Sequence, residues 1–115
     1  MILQETDNYI KACMKTWLLC ESCIHIEETT SYHPRQSLIS KWRSCAHSCF
    51  AIVCRIISKE NEEMQEPALT CMLSCRECYE ECEKYNYIED IEYCGEVCRY
   101  CADIIKDLLI TENLN

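Results

Sequence analysis

Between Cys71 and Cys82 the chain reads Cys-Met-Leu-Ser-Cys-Arg-Glu-Cys-Tyr-Glu-Glu-Cys, with thiols at steps of four, three and four. At about 100° per residue, those steps place all four sulfurs in one stripe of an α-helix. Cys94, Cys98 and Cys101 repeat the steps, and Ile105 stands where a fourth cysteine would fall. Cys45 with Cys49, and Cys13 with Cys20 and Cys23, carry the pattern into two further segments. Thiolates are soft donors that select Cu(I), Zn(II) or iron–sulfur clusters. Helical cysteines three or four residues apart have Cβ atoms roughly 5–6 Å apart, near enough to flank one ion. Zinc asks for an isolated tetrahedral set of four ligands, and iron–sulfur clusters are normally held by cysteines on loops. Cu(I) is satisfied by two or three sulfurs. If each ion takes two sulfurs and each sulfur bridges two ions, metals and thiols are equal in number.

A single buried cysteine is usually inert filler. Here Cys13, Cys20, Cys23, Cys45, Cys49, Cys71, Cys75, Cys78, Cys82, Cys94, Cys98 and Cys101 all fall on inward faces. A core packed with so small a side chain is expected to leave voids, each at a cost in stability. These twelve are the predicted metal ligands, for about 12–13 Cu(I) ions per chain, the thirteenth depending on Cys54. Cys54 lies nine residues from Cys45 and so points away from the seam. His25 on the flank of the first helix and His33 in the connection after it are secondary candidates for handing metal inward, whereas His47 faces solvent. Met14 and Met72 read as core packing, and Tyr79, Tyr85, Tyr87, Tyr93 and Tyr100 as flank residues.

The elements that must position these side chains follow from composition and periodicity. The chain has 115 residues, 49% of them hydrophobic, with one Gly and two Pro. That is the size of one domain, spanning 1–115, and too poor in turn residues for a β-sandwich, so the fold class is all-α. Helix one is predicted from about Asp7 to Glu27, with Ile10, Cys13, Trp17, Cys20 and Ile24 on its face and Cys23 at the edge. Helix two is predicted from Pro34 to Lys59, burying Leu38, Trp42, Cys45, Cys49, Ile52 and Ile56. Charged residues 58–66 link it to helix three, Pro67 to Lys84. Asn86 and Glu89 resemble a capping box ahead of helix four, Tyr87 to Ile110. Gly95 within it costs roughly 1 kcal/mol relative to Ala, a cost expected to be returned as a close helix approach.

Four such helices with short connections form an antiparallel up-down-up-down four-helix bundle with a cysteine-lined core. Stacking them predicts Cys23, Cys45, Cys82 and Cys94 at one end, then Cys20, Cys49, Cys78 and Cys98, then Cys13, Cys75 and Cys101 with Cys71 below. Ile10, Ile52, Ile56, Ile105 and Leu108 gather at the other end. Metal is expected to arrive at the thiol end.

A net charge of −9 argues against nucleic acid and anionic membrane surfaces as partners. No run approaches the roughly 18 apolar residues that cross a bilayer. The first eight residues carry no basic leader or apolar run, which predicts a cytoplasmic protein whose thiols stay reduced. An enzyme is not expected: Cys45 and His47 face different ways on one helix, and nucleophilic cysteines need a positioned base.

The runs Cys71 to Cys82, Cys94-Gly-Glu-Val-Cys98-Arg-Tyr-Cys101-Ala-Asp and Cys45-Ala-His-Ser-Cys49 resemble the four-helix-bundle copper storage proteins, a bacterial family of cysteine-lined bundles. The likeness spans most of the chain and is closest in helices three and four. It implies Cu(I) storage for homeostasis or detoxification, metal access at one open end, a homotetramer, and exchange with a copper chaperone or copper-efflux partner. The lack of an export signal resembles the family's cytosolic branch. Two alternatives belong to other classes. Cys78-x3-Cys82 followed by Cys94-x3-Cys98 is also the spacing of a disulfide-stapled helical hairpin of the twin-Cys-x3-Cys chaperone type, and a zinc-binding cysteine-rich bundle is the second.

Overall fold

A computed structural model describes residues 3–58 and 63–114. Among these, four helices occur in the order α1 (Leu3–Thr30), α2 (Gln36–Ile57), α3 (Gln65–Glu83) and α4 (Glu89–Leu114), with no strand. Each packs on its two neighbours, α4 closing the ring on α1, in an up-down-up-down bundle 49 × 22 × 22 Å. The all-α bundle expected from the periodicity is the fold observed.

Helix ends depart from expectation for local reasons. Thr29 and Thr30 turn their hydroxyls back to donate to the His25 and Ile26 carbonyls at 2.7 and 2.6 Å. That satisfies the hydroxyls within the last turn of α1, which runs on to Thr30 where the polar stretch predicted a connection. The reversal is confined to Ser31–Arg35, and Pro34 lies in it, not in the first turn of α2. Pro67 is third in α3, where a missing N–H costs nothing; the first helical bond runs from the Ala68 N–H to the Met64 carbonyl at 2.9 Å. Asn86 sits in the turn before α4, whose first bond joins the Glu92 N–H to the Ile88 carbonyl. The expected capping box is therefore displaced. Much of the charged linker predicted over 58–66 falls outside the described residues.

The seam of α2 is as predicted, with Leu38, Trp42, Cys45, Cys49 and Ile52 buried and Ile56 partly so. That of α1 is rotated. Its central residues are Cys13, Thr16, Cys20 and Cys23, while Trp17 moves to the flank against Phe50, ring centroids 4.9 Å apart, and Met14 is exposed.

Candidate metal centre

Twelve of the thirteen cysteines are buried, and Cys54 is exposed. All thirteen are free thiols. One cysteine from each helix meets at Cys20, Cys45, Cys78 and Cys98, and again at Cys13, Cys49, Cys71 and Cys101. Within each set the sulfurs lie within 4.8 Å of one another, and Cys45, Cys49 and Cys75 form a third set joining the two.

The contacts make one continuous path. From Cys20 it runs to Cys98 at 3.9 Å, to Cys45 at 3.8 Å and to Cys75 at 3.6 Å. Cys49 follows at 3.8 Å, then Cys101 at 3.9 Å and Cys13 at 4.0 Å, with Cys71 branching from Cys49 at 3.7 Å. Cys23 and Cys82 both neighbour Cys94, at the end where α1 meets α2 and α3 meets α4. These are contact distances between sulfurs. The thiols of neighbouring layers thus lie against one another along the axis.

The layer order of α2 differs from expectation by one turn. Cys45 joins Cys20 and Cys98, not Cys23 and Cys94, and Cys49 joins Cys13 and Cys101, not Cys20 and Cys98. Because α1 continues to Thr30, the reversal pairs α2 lower along α1. Trp42 then takes the place in the end layer where Cys45 was expected. Ile105 and Leu108 are buried at the far end, beside Ile52.

Hydrogen bonds between thiols push their ionisation apart. The sulfur that gathers several donors ionises first, while the donors hold their protons. Cys82 is pulled down to about 4 by bonds from Cys78 and Cys94, against its burial. Cys45 is pulled down chiefly by Cys20, and Cys101 chiefly by Cys13. Cys101 in turn pushes up Cys13, Cys49 and Cys75, and Cys20 is pushed up by Cys45. Each layer thus has a ready thiolate among protonated neighbours.

Neither secondary histidine reaches the sulfurs as a ligand in these sets. His25 and His33 are exposed, and His33 packs edge-on against Tyr32, ring centroids 4.9 Å apart. Two residues that periodicity missed shape the thiol end. Glu27, buried on α1, accepts from Arg35 Nη1 on both carboxylate oxygens, at 2.9 and 3.0 Å, and from the Arg35 backbone N–H at 2.9 Å. Arg35 also lies over the Tyr85 ring, 5.2 Å from its centroid, tying the α1–α2 reversal to the α3–α4 turn. Gly95 does mark a close approach: a Cβ there would stand 2.9 Å from the Cys82 Cβ.

A four-helix bundle whose axis is a file of free thiols belongs to the class of soft-metal-holding thiolate bundles. The copper storage protein family model matches residues 2–109, and the chain belongs to that family. No curated protein and no solved structure matches it. Among the described residues, no helix is long and apolar enough to cross a membrane.

Proposed function

We propose that this chain, acting as one unit over residues 1–115, stores Cu(I) on the thiolates of its core. The observation that carries the reading is the unbroken sulfur path from Cys20 to Cys13, with every step between 3.6 and 4.0 Å. Each sulfur on it touches others from facing helices, the arrangement a two- or three-coordinate soft ion needs to pass from one site to the next. The ligands are the twelve buried cysteines; Cys54, His25 and His33 stand outside the path. Binding replaces S–H protons, so loading releases protons to solvent. The reading is of a non-catalytic cytoplasmic store, assembled as a homotetramer and served by a copper chaperone or efflux partner.

Anaerobic titration against a Cu(I) chelator tests it, with about twelve ions expected per chain. Saturation at about three ions would sink it.

A zinc reading has its own observation. Four thiolates about 2.3 Å from zinc stand roughly 3.8 Å apart, and the close sulfur pairs within the two four-thiol layers lie between 3.7 and 4.0 Å. Zinc would fill those layers only, at about two ions per chain, and would outcompete Cu(I). The disulfide-stapled alternative predicts few free thiols after exposure to air, against thirteen in the reduced chain.

A further inference from the structure

The boundary between α1 and α4 is the smallest of the four between neighbouring helices of the bundle. A cleft of about 400 Å³ lies along it, within the range of roughly 300–1,000 Å³ that small-molecule sites occupy. Its floor includes Ala12, Thr16 and Val97, all small and all buried. Ala12 and Val97 each precede a cysteine of the sulfur path, Cys13 and Cys98. The sulfurs that bridge this same boundary are Cys13 with Cys101 at 4.0 Å and Cys20 with Cys98 at 3.9 Å. The cleft thus flanks the sulfur path from the side, away from the end that holds Cys23 and Cys94.

Charge in the cleft departs from that of the chain. The net charge is −9, yet the α1 rim carries Lys11 and Lys15. Among the described residues Lys15 makes no ion pair; its Nζ stands 5.6 Å from the centre of the exposed Tyr93 ring. Lys11 meets Asp7 at 2.8 Å in an exposed pair, of the kind worth little in water. Glu96, the carboxylate in the lining, is taken up by Arg99, whose Nη2 donates to it at 2.8 Å. Lys15 is therefore a cation at the rim without an anion of its own.

We infer that this cleft is a release site for an anionic low-molecular-weight thiol: Lys15 holds the ligand's carboxylate at the rim while the ligand's sulfur takes Cu(I) from the pairs that bridge α1 and α4. The inference rests on the storage reading and adds to it the chemical class of the acceptor and a side route for the ion. A carboxylate answers the unpaired cation, and a thiol is the donor that competes with the core for a soft ion. The exchange needs α1 and α4 to part locally, at the boundary with the least packing to lose. In each step one Cu–S bond to a core cysteine breaks and one to the incoming sulfur forms. The proton of the incoming thiol passes to the cysteine sulfur that is freed, and copper stays Cu(I) throughout.

The test uses the copper-loaded, anaerobic full chain. Mercaptosuccinate, a thiol with two carboxylates, and 2-mercaptoethanol, a neutral one, are each added, and Cu(I) reaching a chromophoric chelator is timed above the rate with chelator alone. Comparing variant with native chain for the same thiol cancels the thiols' own reactivities. Lys15→Glu is expected to slow release by mercaptosuccinate roughly tenfold and to leave release by 2-mercaptoethanol at the native rate, while Lys15→Arg keeps the native rate with both. Ala12→Leu, which fills the floor, is expected to slow both. Helical circular dichroism checks folding, and titration against the chelator checks that each variant holds as much Cu(I) as the native chain. If neither thiol speeds release from the native chain, if Lys15→Glu slows neither thiol or both alike, or if a folded Ala12→Leu chain releases at the native rate, the release site is overturned, while native Cu(I) capacity leaves the storage reading intact. A native chain that takes up no Cu(I) overturns the storage reading itself, and the release site with it.

Discussion

The two halves of this bundle use the same four helices and the same periodicity, yet one half has sulfur where the other has hydrocarbon. Cys20, Cys45, Cys78 and Cys98 converge in one, while Ile52, Ile105 and Leu108, all fully buried, fill the other. Periodicity decides which residues meet; it does not decide whether the meeting is chemically finished. Isoleucine and leucine are stable by burial alone. Thiols in contact still exchange protons with one another and remain open to a soft ion.

The largest expected break between the halves is with pH, in the metal-free chain. Cys82 is held at about 4 and Cys71 at about 6, against about 9 for a free thiol, Cys71 through bonds with Cys13, Cys49 and Cys75 that outweigh the opposing one with Cys101. Below pH 9 the unfolded chain binds the protons these two have lost, so stability rises from pH 6 to 9. Above 9 the sign reverses. Cys13, Cys20, Cys23, Cys49 and Cys75 are pushed up and keep protons that the unfolded chain releases. Each then lowers stability as pH rises. Thermal unfolding across this range should show a maximum near pH 9, and Cu(I) loading should flatten it. A metal-free curve that stays level above pH 9 would refute the proton balance.

A pair of substitutions sharpens the contrast. Ile105→Ala should cost about 2–5 kcal/mol by denaturant unfolding and leave Cu(I) capacity unchanged. Cys98→Ser, which removes the link between Cys20 at 3.9 Å and Cys45 at 3.8 Å, should change the metal-free stability by about 1 kcal/mol and lower capacity instead. Equal capacity in the two variants would erase the distinction between the halves. Gly95→Ala probes the tightest point of the sulfur half. Alanine gains about 1 kcal/mol in helix propensity, but its Cβ would meet the Cys82 Cβ at 2.9 Å. Overpacking should win, for a net loss of about 1 kcal/mol in chemical denaturation.

The bundle, its order and the inward run of α3 and α4 were legible because cysteine steps of three and four recur without interruption. The face of α1 was not, because polar residues hid it. Thr16 is fully buried with its hydroxyl spent on the Ala12 carbonyl at 2.8 Å, and Glu27 is buried because Arg35 neutralises it. Neither partner can be read from a hydrophobic pattern. The register of α2 failed for a related reason. Thr29 and Thr30 look like a connection, yet they lie within α1 with their hydroxyls bonded back to its last turn, and the pairing of α2 is shifted by a turn. Trp42 was correctly placed inward, but the shift alone decides that it, and not Cys45, stands at the mouth.

The smallest expected effect lies within the sulfur half. Cys13, Thr16, Cys20 and Cys23 follow one another on α1 at steps of three, four and three, so threonine holds the one place in that file without a sulfur. Thr16 stands between Cys13, which meets Cys101 at 4.0 Å, and Cys20, which meets Cys98 at 3.9 Å. Its hydroxyl is turned to the backbone, so α1 offers no sulfur at that level, and the set there holds three thiols, Cys45, Cys49 and Cys75. Thr16→Cys changes side-chain volume little and should shift metal-free stability by under about 1 kcal/mol. It should raise Cu(I) capacity by about one ion, because a bridging sulfur is added beside sulfurs already in line. The same exchange at Leu108, in the hydrocarbon half, adds a thiol with no sulfur layer around it and should bring no such gain. If Thr16→Cys adds nothing in a chelator titration, capacity is set by something other than the count of sulfurs along the axis.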